Sequence, residues 1–211
     1  MKKNGFLILF LLGIFGQNIY VQSMKANEAL LIIDIQNDYF EGGANPLVGS
    51  LGASLNARSL LNVFRENSLP VIHVQHVSSR SESTFFIADT EGVKIHKNVF
   101  PLINEKVITK NYPNSFYNTE LLEYLKANDI TDLVICGMMT HMCVDATVRA
   151  AKDLGFGCTV ISDACATKDL EIQGNRVTAN DVQVAFLAAL NYFYAVILDT
   201  DTYLLELHIS H

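Results

Sequence analysis

Several patterns that are typical of other protein classes are missing from this chain. It has no basic run beyond Lys2-Lys3, and its 211 residues carry a net charge of −7, which argues against nucleic-acid binding. Charged residues make up 18% of the chain and hydrophobic residues 50%, a balance that excludes a disordered chain and suits a substantial core. Internal repeats and linker-like stretches are also missing, so we predict one domain over residues 26–205.

The cysteines do not follow a metal-binding pattern. Their spacings are 7, 15 and 7 residues, whereas zinc motifs separate two cysteines by two to four residues. Three of them lie inside or beside apolar runs, which favours buried thiols over disulfide bonds. The cysteines are Cys136, Cys143, Cys158 and Cys165.

The amino terminus has the three regions of a secretory signal peptide. Lys2-Lys3 is followed by an apolar stretch at 6–15, which is too short for a membrane-spanning helix, and Val21-Gln22-Ser23 offers a cleavage site. We therefore expect residues 1–23 to be removed and the mature protein to be periplasmic or secreted. The alternative is that translation starts at Met24, in which case the protein is cytoplasmic.

Short apolar runs alternate with amphipathic segments about six times along the chain. Several of these runs are apolar throughout, as in strands buried on both faces of a parallel sheet. This order predicts an α/β protein with a six-stranded, mainly parallel sheet and helices on both faces, a Rossmann-like three-layer arrangement. The predicted strands are 29–33, 71–77, 107–109, 133–136, 157–162 and 195–198, and the predicted helices are 51–67, 117–128 (capped by Ser115 or Asn118), 144–154 and 178–192 (opening with a capping box at 178–181).

Three reactive residues lie at the ends of predicted strands. Asp34 ends the first strand, Lys110 ends the third, and Cys143 lies where the turn after the fourth becomes a helix. Ligands of such folds bind at the carboxyl ends of the strands, so these residues converge if the first and fourth strands are neighbours. The helix start and the lysine would favour the thiolate, and Asp34 could accept its proton. Each residue also has a structural explanation, since buried cysteines, capping aspartates and solvated lysines are common.

Three blocks of the sequence stand out, LLIIDIQND at 30–38, ITKNYPNSF at 108–116 and GMMTHMCV at 137–144. In these blocks the sequence resembles the isochorismatase-like cysteine hydrolases, which include nicotinamidases and N-carbamoylsarcosine amidohydrolases. The resemblance implies that family's fold and a catalytic triad of Asp34, Lys110 and Cys143. It also implies a cis peptide bond between Met138 and Met139, with the N–H groups of Met139 and Cys143 forming an oxyanion hole.

The resemblance implies a hydrolase that cleaves the C–N amide bond of a small carboxamide through a thioester, without a cofactor. Isochorismatases that cleave a vinyl ether lack the nucleophilic cysteine, so Cys143 argues against that reaction. Metal-dependent nicotinamidases carry an Asp-x-His pair and another histidine after the second strand. Here His73 and His76 are three apart on a strand and face opposite sides, so we expect no metal. Two alternatives stay open, a metal-dependent nicotinamidase with other ligands and a non-catalytic binder of small molecules.

The segment 78–105 has no strong periodicity and lies between two strands whose ends face the predicted site. Phe85, Phe86 and His96 are expected to shape or cover a substrate pocket, although the two phenylalanines could instead pack on a neighbouring subunit. The expected partners are a small-molecule amide and other copies of the chain, in a homo-oligomeric dimer or tetramer. Further pocket candidates, chosen by their proximity to the triad in the sequence, are Phe40, Asn114, Phe116 and His141.

Overall fold

A computed structural model describes residues 27–208, and the predicted signal peptide at 1–23 lies outside the described residues. Within 27–208, no helix is both long and apolar enough to cross a membrane. The strands are β1 (Glu28–Ile33), β2 (Val71–His76), β3 (Lys106–Lys110), β4 (Asp132–Met138), β5 (Gly157–Ala166), β6 (Leu170–Ile172), β7 (Asn175–Val177) and β8 (Val196–Leu198). The helices are α1 (Ser50–Glu66), α2 (Leu121–Ala127), α3 (Asp145–Asp153), α4 (Ala179–Asn191) and α5 (Thr200–His208).

Six of the strands form one parallel sheet in the order β3-β2-β1-β4-β5-β8, while β6 and β7 form a separate hairpin. All six residues of β1 are buried, and the strand pairs with β2 on one side and β4 on the other. The chain first adds strands on one side of β1 and then crosses to the other side. The space between β1 and β4 is therefore a topological switch point, where ligands of such sheets bind. The predicted α/β fold is confirmed.

Helices cover both faces of the sheet because successive residues of β1 point to opposite sides. On one face, Leu30 packs in a cluster with Leu60 of α1 and Tyr203 of α5. On the other face, Leu31 packs in a second cluster with Leu190 of α4 and residues of α2 and α3. Full burial of each leucine is worth about 2 kcal/mol, so the two clusters hold the sheet between its helix layers.

The helix before β4 starts later than the sequence predicted. We expected it at 117 with Ser115 or Asn118 as the cap, but α2 begins at Leu121. Asn118 has a left-handed φ of +53°, and the Ser115 hydroxyl lies 2.8 Å from Thr147 Oγ1 instead of capping the helix. Ser115 and Asn118 therefore belong to the loop before α2 and do not cap the helix.

At the start of α4, the N-cap half of the predicted capping box is present, since Thr178 Oγ1 accepts the N–H of Asp181 at 3.2 Å. The Asp181 carboxylate accepts the Thr178 hydroxyl at 2.7 Å, whereas in a full capping box it accepts the backbone N–H. The apolar residues of α4 and of the turn after it are only partly buried. Val182 and Leu190 are in the core, whereas Phe193, two residues past the end of α4, is 64% exposed. The sequence analysis also missed α5, the β6–β7 hairpin and the last four residues of β5, which lack a clear period.

Candidate active site

The carboxyl edge of the sheet brings together residues at the ends of neighbouring strands. Asp34 directly follows β1, His76 is the last residue of β2, and Lys110 is the last residue of β3. His76 and Lys110 are opposite each other in the strand register, and β2 also pairs with β1. Cys143 approaches from the far side of β1, in a π-helical turn (Thr140–Val144) between β4 and α3. The switch point thus collects the three predicted residues and one histidine.

The ammonium group of Lys110 is the centre of this cluster. Its Nζ atom lies 2.7 Å from Asp34 Oδ2, 3.0 Å from His76 Nδ1 and 3.2 Å from Cys143 Sγ. The carbonyl oxygen of Tyr112 lies 3.1 Å away. An ammonium has N–H donors and no lone pair, so each of these atoms faces it as an acceptor. The side chain of Lys110 is buried, and the Asp34 carboxylate balances its charge. The other three atoms accept hydrogen bonds from its ammonium group.

The charge states of Lys110 and His76 follow from these contacts. Burial lowers the pKa of Lys110, but the contacts with Asp34 and Cys143 together outweigh this effect, and the pKa lies above its ordinary value. Burial lowers the pKa of His76 to about 4, and the charge of Lys110 acts in the same direction. His76 is therefore neutral near pH 7. Because its Nδ1 atom accepts a hydrogen bond from an ammonium, the proton of the neutral ring is on Nε2.

The state of Cys143 differs from the sequence-based expectation. Its position before a helix, beside a lysine, predicted a thiolate. In the structure, burial raises the pKa of the thiol, the charge of Asp34 raises it further, and Lys110 only partly offsets them. Cys143 is 4% exposed, and α3 begins two residues later, at Asp145. Loss of water around the sulfur therefore outweighs the attraction of the lysine, and the resting form is the thiol.

Gly137 lets β4 approach β1 closely enough to form the site. Its φ is +136°, and a Cβ atom there would lie 2.0 Å from the carbonyl oxygen of Ile33. The two residues pair in the register of β1 and β4, and Ile33 directly precedes Asp34. A side chain does not fit at this contact. The distance between Asp34 and the turn that carries Cys143 therefore depends on a glycine.

The turn after β4 begins with a cis peptide bond between Met138 and Met139. This is the bond at which the family resemblance implied one. The carbonyl oxygen of Met139 accepts the N–H groups of Met142 at 3.0 Å and Val144 at 3.3 Å, which ties the turn back on itself. Met139 and Cys143, whose N–H groups were predicted to form an oxyanion hole, are both buried and both line one cavity.

That cavity has a volume of about 390 Å³, which suits a small molecule. One side is formed by the strand ends and the π-helical turn, and the opposite side by residues 78–86. Phe85 and Phe86 belong to this second side, and their ring centroids lie 6.0 and 4.7 Å from that of Tyr39. The remaining lining residues are His76, Ser78, Ser79, Arg80, Glu82, Ser83, Thr84, Asn111, Tyr112, Pro113, Met139, Met142 and Cys143.

Comparison with known proteins assigns the family. The family model of the isochorismatase domain matches residues 28–201. The chain belongs to the isochorismatase family. A relative from Bacillus subtilis, the uncharacterized isochorismatase family protein YddQ, is 49% identical over 176 residues, which are 83% of this chain and 98% of the relative.

A solved structure and a more distant relative agree with this isochorismatase assignment. The crystal structure of a candidate isochorismatase hydrolase from Oleispira antarctica has a TM-score of 0.83 and 44% identity, and the match covers 87% of this chain and 99% of that one. The streptothricin hydrolase of Streptomyces noursei is 32% identical over 143 residues, covering 68% of this chain and 51% of that protein. The chain is thus an isochorismatase-family hydrolase.

Two of the predicted pocket residues lie in the cavity of this isochorismatase-family protein, but Phe40 and His96 do not. Phe85 and Phe86 are in its lining. Phe40 instead stacks on His96, with ring centroids 3.7 Å apart and an interplanar angle of 9°. Neither ring is part of the cavity that Cys143 lines.

The other three predicted pocket residues also have structural roles away from the cavity. Phe116 stacks on Phe156, 5.9 Å between centroids, in the core on one face of the sheet. The Asn114 side chain accepts the N–H of Phe116 at 2.9 Å. The Nδ1 atom of His141 lies 2.5 Å from Thr167 Oγ1. Proximity to the triad in the sequence therefore did not predict side-chain direction.

Residues that the sequence analysis missed include Tyr39, His76, Tyr112 and Met142, all in the cavity lining. His76 had been considered only as a metal ligand. Its position at a strand end, beside Asp34 and Lys110, was the signal that could have identified it. The others lie in turns, where spacing in the sequence does not give the direction of a side chain.

The carboxylate of Asp38, in the loop after β1, anchors the segment 78–86 that lines the cavity. Its Oδ2 atom accepts the N–H of Phe86 at 2.6 Å, and its Oδ1 atom accepts the N–H of Ala44 at 3.2 Å. Gly92 packs directly on this carboxylate, since a Cβ there would lie 2.0 Å from Oδ1. Phe86 has a left-handed φ of +56°, so its ring position depends on this anchor.

Three metal-ligating groups also meet in the site. Donor atoms of Asp34, His76 and Cys143 lie within 4.8 Å of one another, and zinc accepts such a mixture of oxygen, nitrogen and sulfur. The Lys110 Nζ atom, however, contacts all three, so an ammonium occupies the position that a metal ion would take. Two cations at one point repel each other strongly. His73 faces the other way and binds Glu105 at 2.9 Å.

Proposed function

We propose that this isochorismatase-family protein is a metal-independent cysteine hydrolase that cleaves the C–N bond of a small carboxamide. The observation that supports it is the contact of one buried ammonium with both a carboxylate and a thiol, beside a cavity of molecular size. Asp34 can take the thiol proton, because its carboxylate oxygen and the Cys143 sulfur lie within 4.8 Å of each other, and Lys110 can stabilise the negative charge that moves onto sulfur. Cys143 is the nucleophile in this proposal.

In the first half of the reaction, the Cys143 proton moves to Asp34 as the sulfur attacks the carbonyl carbon of the amide. The carbonyl oxygen takes up the electron pair of the C=O bond and accepts N–H groups of Met139 and Cys143. Such donors are worth about 3–4 kcal/mol in acyl transfer. The C–N bond then breaks while Asp34 gives its proton to the leaving nitrogen, and a thioester is left on Cys143.

In the second half, water attacks the thioester carbon and Asp34 takes one of its protons. The C–S bond breaks, the carboxylic acid leaves, and the sulfur of Cys143 receives the proton back from Asp34. The raised pKa of Cys143 agrees with this cycle, because the thiol is the form from which it starts and to which it returns. Lys110 keeps its charge throughout.

The test uses ammonia or acid release from a panel of small primary amides, hydroxamates and lactams. With an accepted amide, Cys143→Ala should lower kcat by about 10³-fold or more, since it removes the attacking atom. Cys158→Ala is the matched control, because that cysteine is also buried, 7% exposed against 4% for Cys143, but does not line the cavity, and it should retain activity. Mass spectrometry of quenched wild-type enzyme should show an acyl group on Cys143. A Cys143→Ala protein as active as wild type would sink the proposal.

A metal-dependent hydrolase is the second candidate, because Asp34, His76 and Cys143 form a potential ligand set. We expect untagged protein to contain substoichiometric metal and to keep its activity in chelator. Stoichiometric zinc or iron, with activity lost on chelation, would favour this candidate. A non-catalytic binder would bind amides and release no product, with or without metal.

We also propose export and self-association for this chain. Export is supported by the order of the cationic, apolar and small-residue regions within residues 1–23. Sequencing the amino terminus of protein from fractionated cells tests it, since an intact Met1 in the cytoplasm contradicts export.

A homo-oligomer is supported by the exposed side chains of Tyr192 and Phe193, at 92% and 64%. Light scattering of the purified protein measures the mass.

A further inference from the structure

His76 lies between the reactive residues and the cavity, and its backbone is held in place. The buried side chain of Gln36 accepts the N–H of His76 at 2.8 Å and donates to its carbonyl oxygen at 2.9 Å. Gln36 is itself tied to the carbonyl oxygen of Val93 at 2.6 Å. On its side-chain end, the imidazole contacts the Lys110 ammonium and lies 5.6 Å from the ring of Phe86. The ring therefore has a fixed orientation.

This orientation leaves His76 with one proton donor that the triad does not use. Nδ1 faces Lys110, whose Nζ atom offers only hydrogens, so the ring N–H is at Nε2. The charged and titratable groups around the ring come from three elements, namely Asp34 at 3.9 Å, Lys110 at 3.0 Å and Cys143 in the turn. The side chain is 17% exposed, and His76 lines the cavity together with Cys143.

We propose that His76 is a specificity-determining residue, whose Nε2–H group donates a hydrogen bond to a lone-pair atom of the amide substrate. The inference rests on the proposed amide hydrolysis and extends it to substrate selection. A neutral donor fixed beside the sulfur favours molecules that present an oxygen or nitrogen acceptor there. A site built around such a donor discriminates against analogues without an acceptor, because the N–H would lose its partner.

Two substitutions distinguish the acceptor role of His76 Nδ1 from the donor role of Nε2. In His76→Asn, the amide oxygen can still accept from Lys110, while the outer donor is lost. In His76→Gln, the longer side chain can place its amide N–H near the position of Nε2. With an accepted amide, we expect His76→Asn to raise KM about tenfold with kcat within about threefold, and His76→Gln to keep KM within about threefold of wild type. Unchanged KM in His76→Asn would overturn the inference.

A second readout does not depend on turnover. Iodoacetamide is itself a small carboxamide and alkylates thiols, whereas methyl methanethiolsulfonate modifies thiols without an amide group. Mass spectrometry gives the rate at which each reagent labels Cys143. We expect His76→Asn to lower the iodoacetamide rate about fivefold or more relative to the thiolsulfonate rate, and His76→Gln to keep the wild-type ratio. His76→Leu is a second donor-free variant, for use if the first does not fold.

If His76→Asn lowers the labelling rate of Cys143 equally with both reagents, the role of His76 is merely structural and the inference is contradicted. A ratio of the two rates that stays at its wild-type value contradicts it as well. The outcomes also separate the inference about His76 from the proposed amide hydrolysis. If wild-type protein hydrolyses no amide but the labelling ratio shifts in His76→Asn, then the reaction is wrong while the hydrogen bond from His76 stands. If amides are hydrolysed and neither KM nor the ratio moves, the reaction stands and the role of His76 is wrong.

Discussion

Lys110→Met tests how much the buried ion pair of Asp34 and Lys110 contributes to the free energy of unfolding. The substitution keeps an unbranched side chain but leaves the Asp34 carboxylate, which is fully buried, without its counter-ion. Removing one partner of a buried pair costs about 3–5 kcal/mol, because the other charge is left in a poorly solvating interior. The free energy of unfolding of a typical domain is only about 5–15 kcal/mol, so the single variant should be clearly destabilised.

The double variant Asp34→Asn/Lys110→Met separates stability from chemistry. It removes both charges at once, so no uncompensated charge is left in the interior, which is the main cost in the single variant. We expect its free energy of unfolding to return to within about 2 kcal/mol of wild type, while turnover stays absent. Urea denaturation followed by circular dichroism measures the first quantity, and product release the second. A Lys110→Met protein as stable as wild type, or an active double variant, would refute this reasoning.

Three further predictions concern the glycine contact, the cavity wall and acid stability. Gly137→Ala should cost about 2–4 kcal/mol of unfolding free energy, whereas Gly52→Ala, an open helical position, should gain about 0.5–1 kcal/mol in the same denaturation assay. Asp38→Asn should raise KM more than it lowers kcat, as steady-state kinetics would show. Burial raises the pKa of Glu105, but hydrogen bonds lower it to about 2, from an ordinary 4.5. Stability should therefore fall as the pH drops from about 4.5 to 2, less steeply in Glu105→Gln.

The positions of Asp34, Lys110 and Cys143 at one edge of the sheet could be predicted, because each lies at or shortly after the end of a strand. Buried strands have a strong pattern, and their order along a parallel sheet places their carboxyl ends on one edge. The roles of Phe40 and His141 could not be predicted in the same way. They lie in turns, where a hydrogen bond to Thr167 or a ring stacked on His96 decides the direction of the side chain.

The protonation of Cys143 illustrates a second limit. The sequence shows a neighbouring helix and a lysine, which both favour the thiolate, but it does not show how much water is removed from the sulfur. Burial is a property of the assembled fold, and here it raises the pKa of Cys143 more than Lys110 lowers it. The helix start also moved, because the residues before Asp145 form a π-helical turn.

In the proposed function, the reaction and the choice of substrate depend on separate parts of this chain. The proposed reacting groups lie at or after strand ends, whereas much of the cavity lining comes from residues 78–86, which are anchored through Asp38 and Gly92. Loops change more readily than buried strands in the course of evolution. New substrates can therefore be sought by varying residues 79–85 while Asp38, Phe86 and Gly92 are kept.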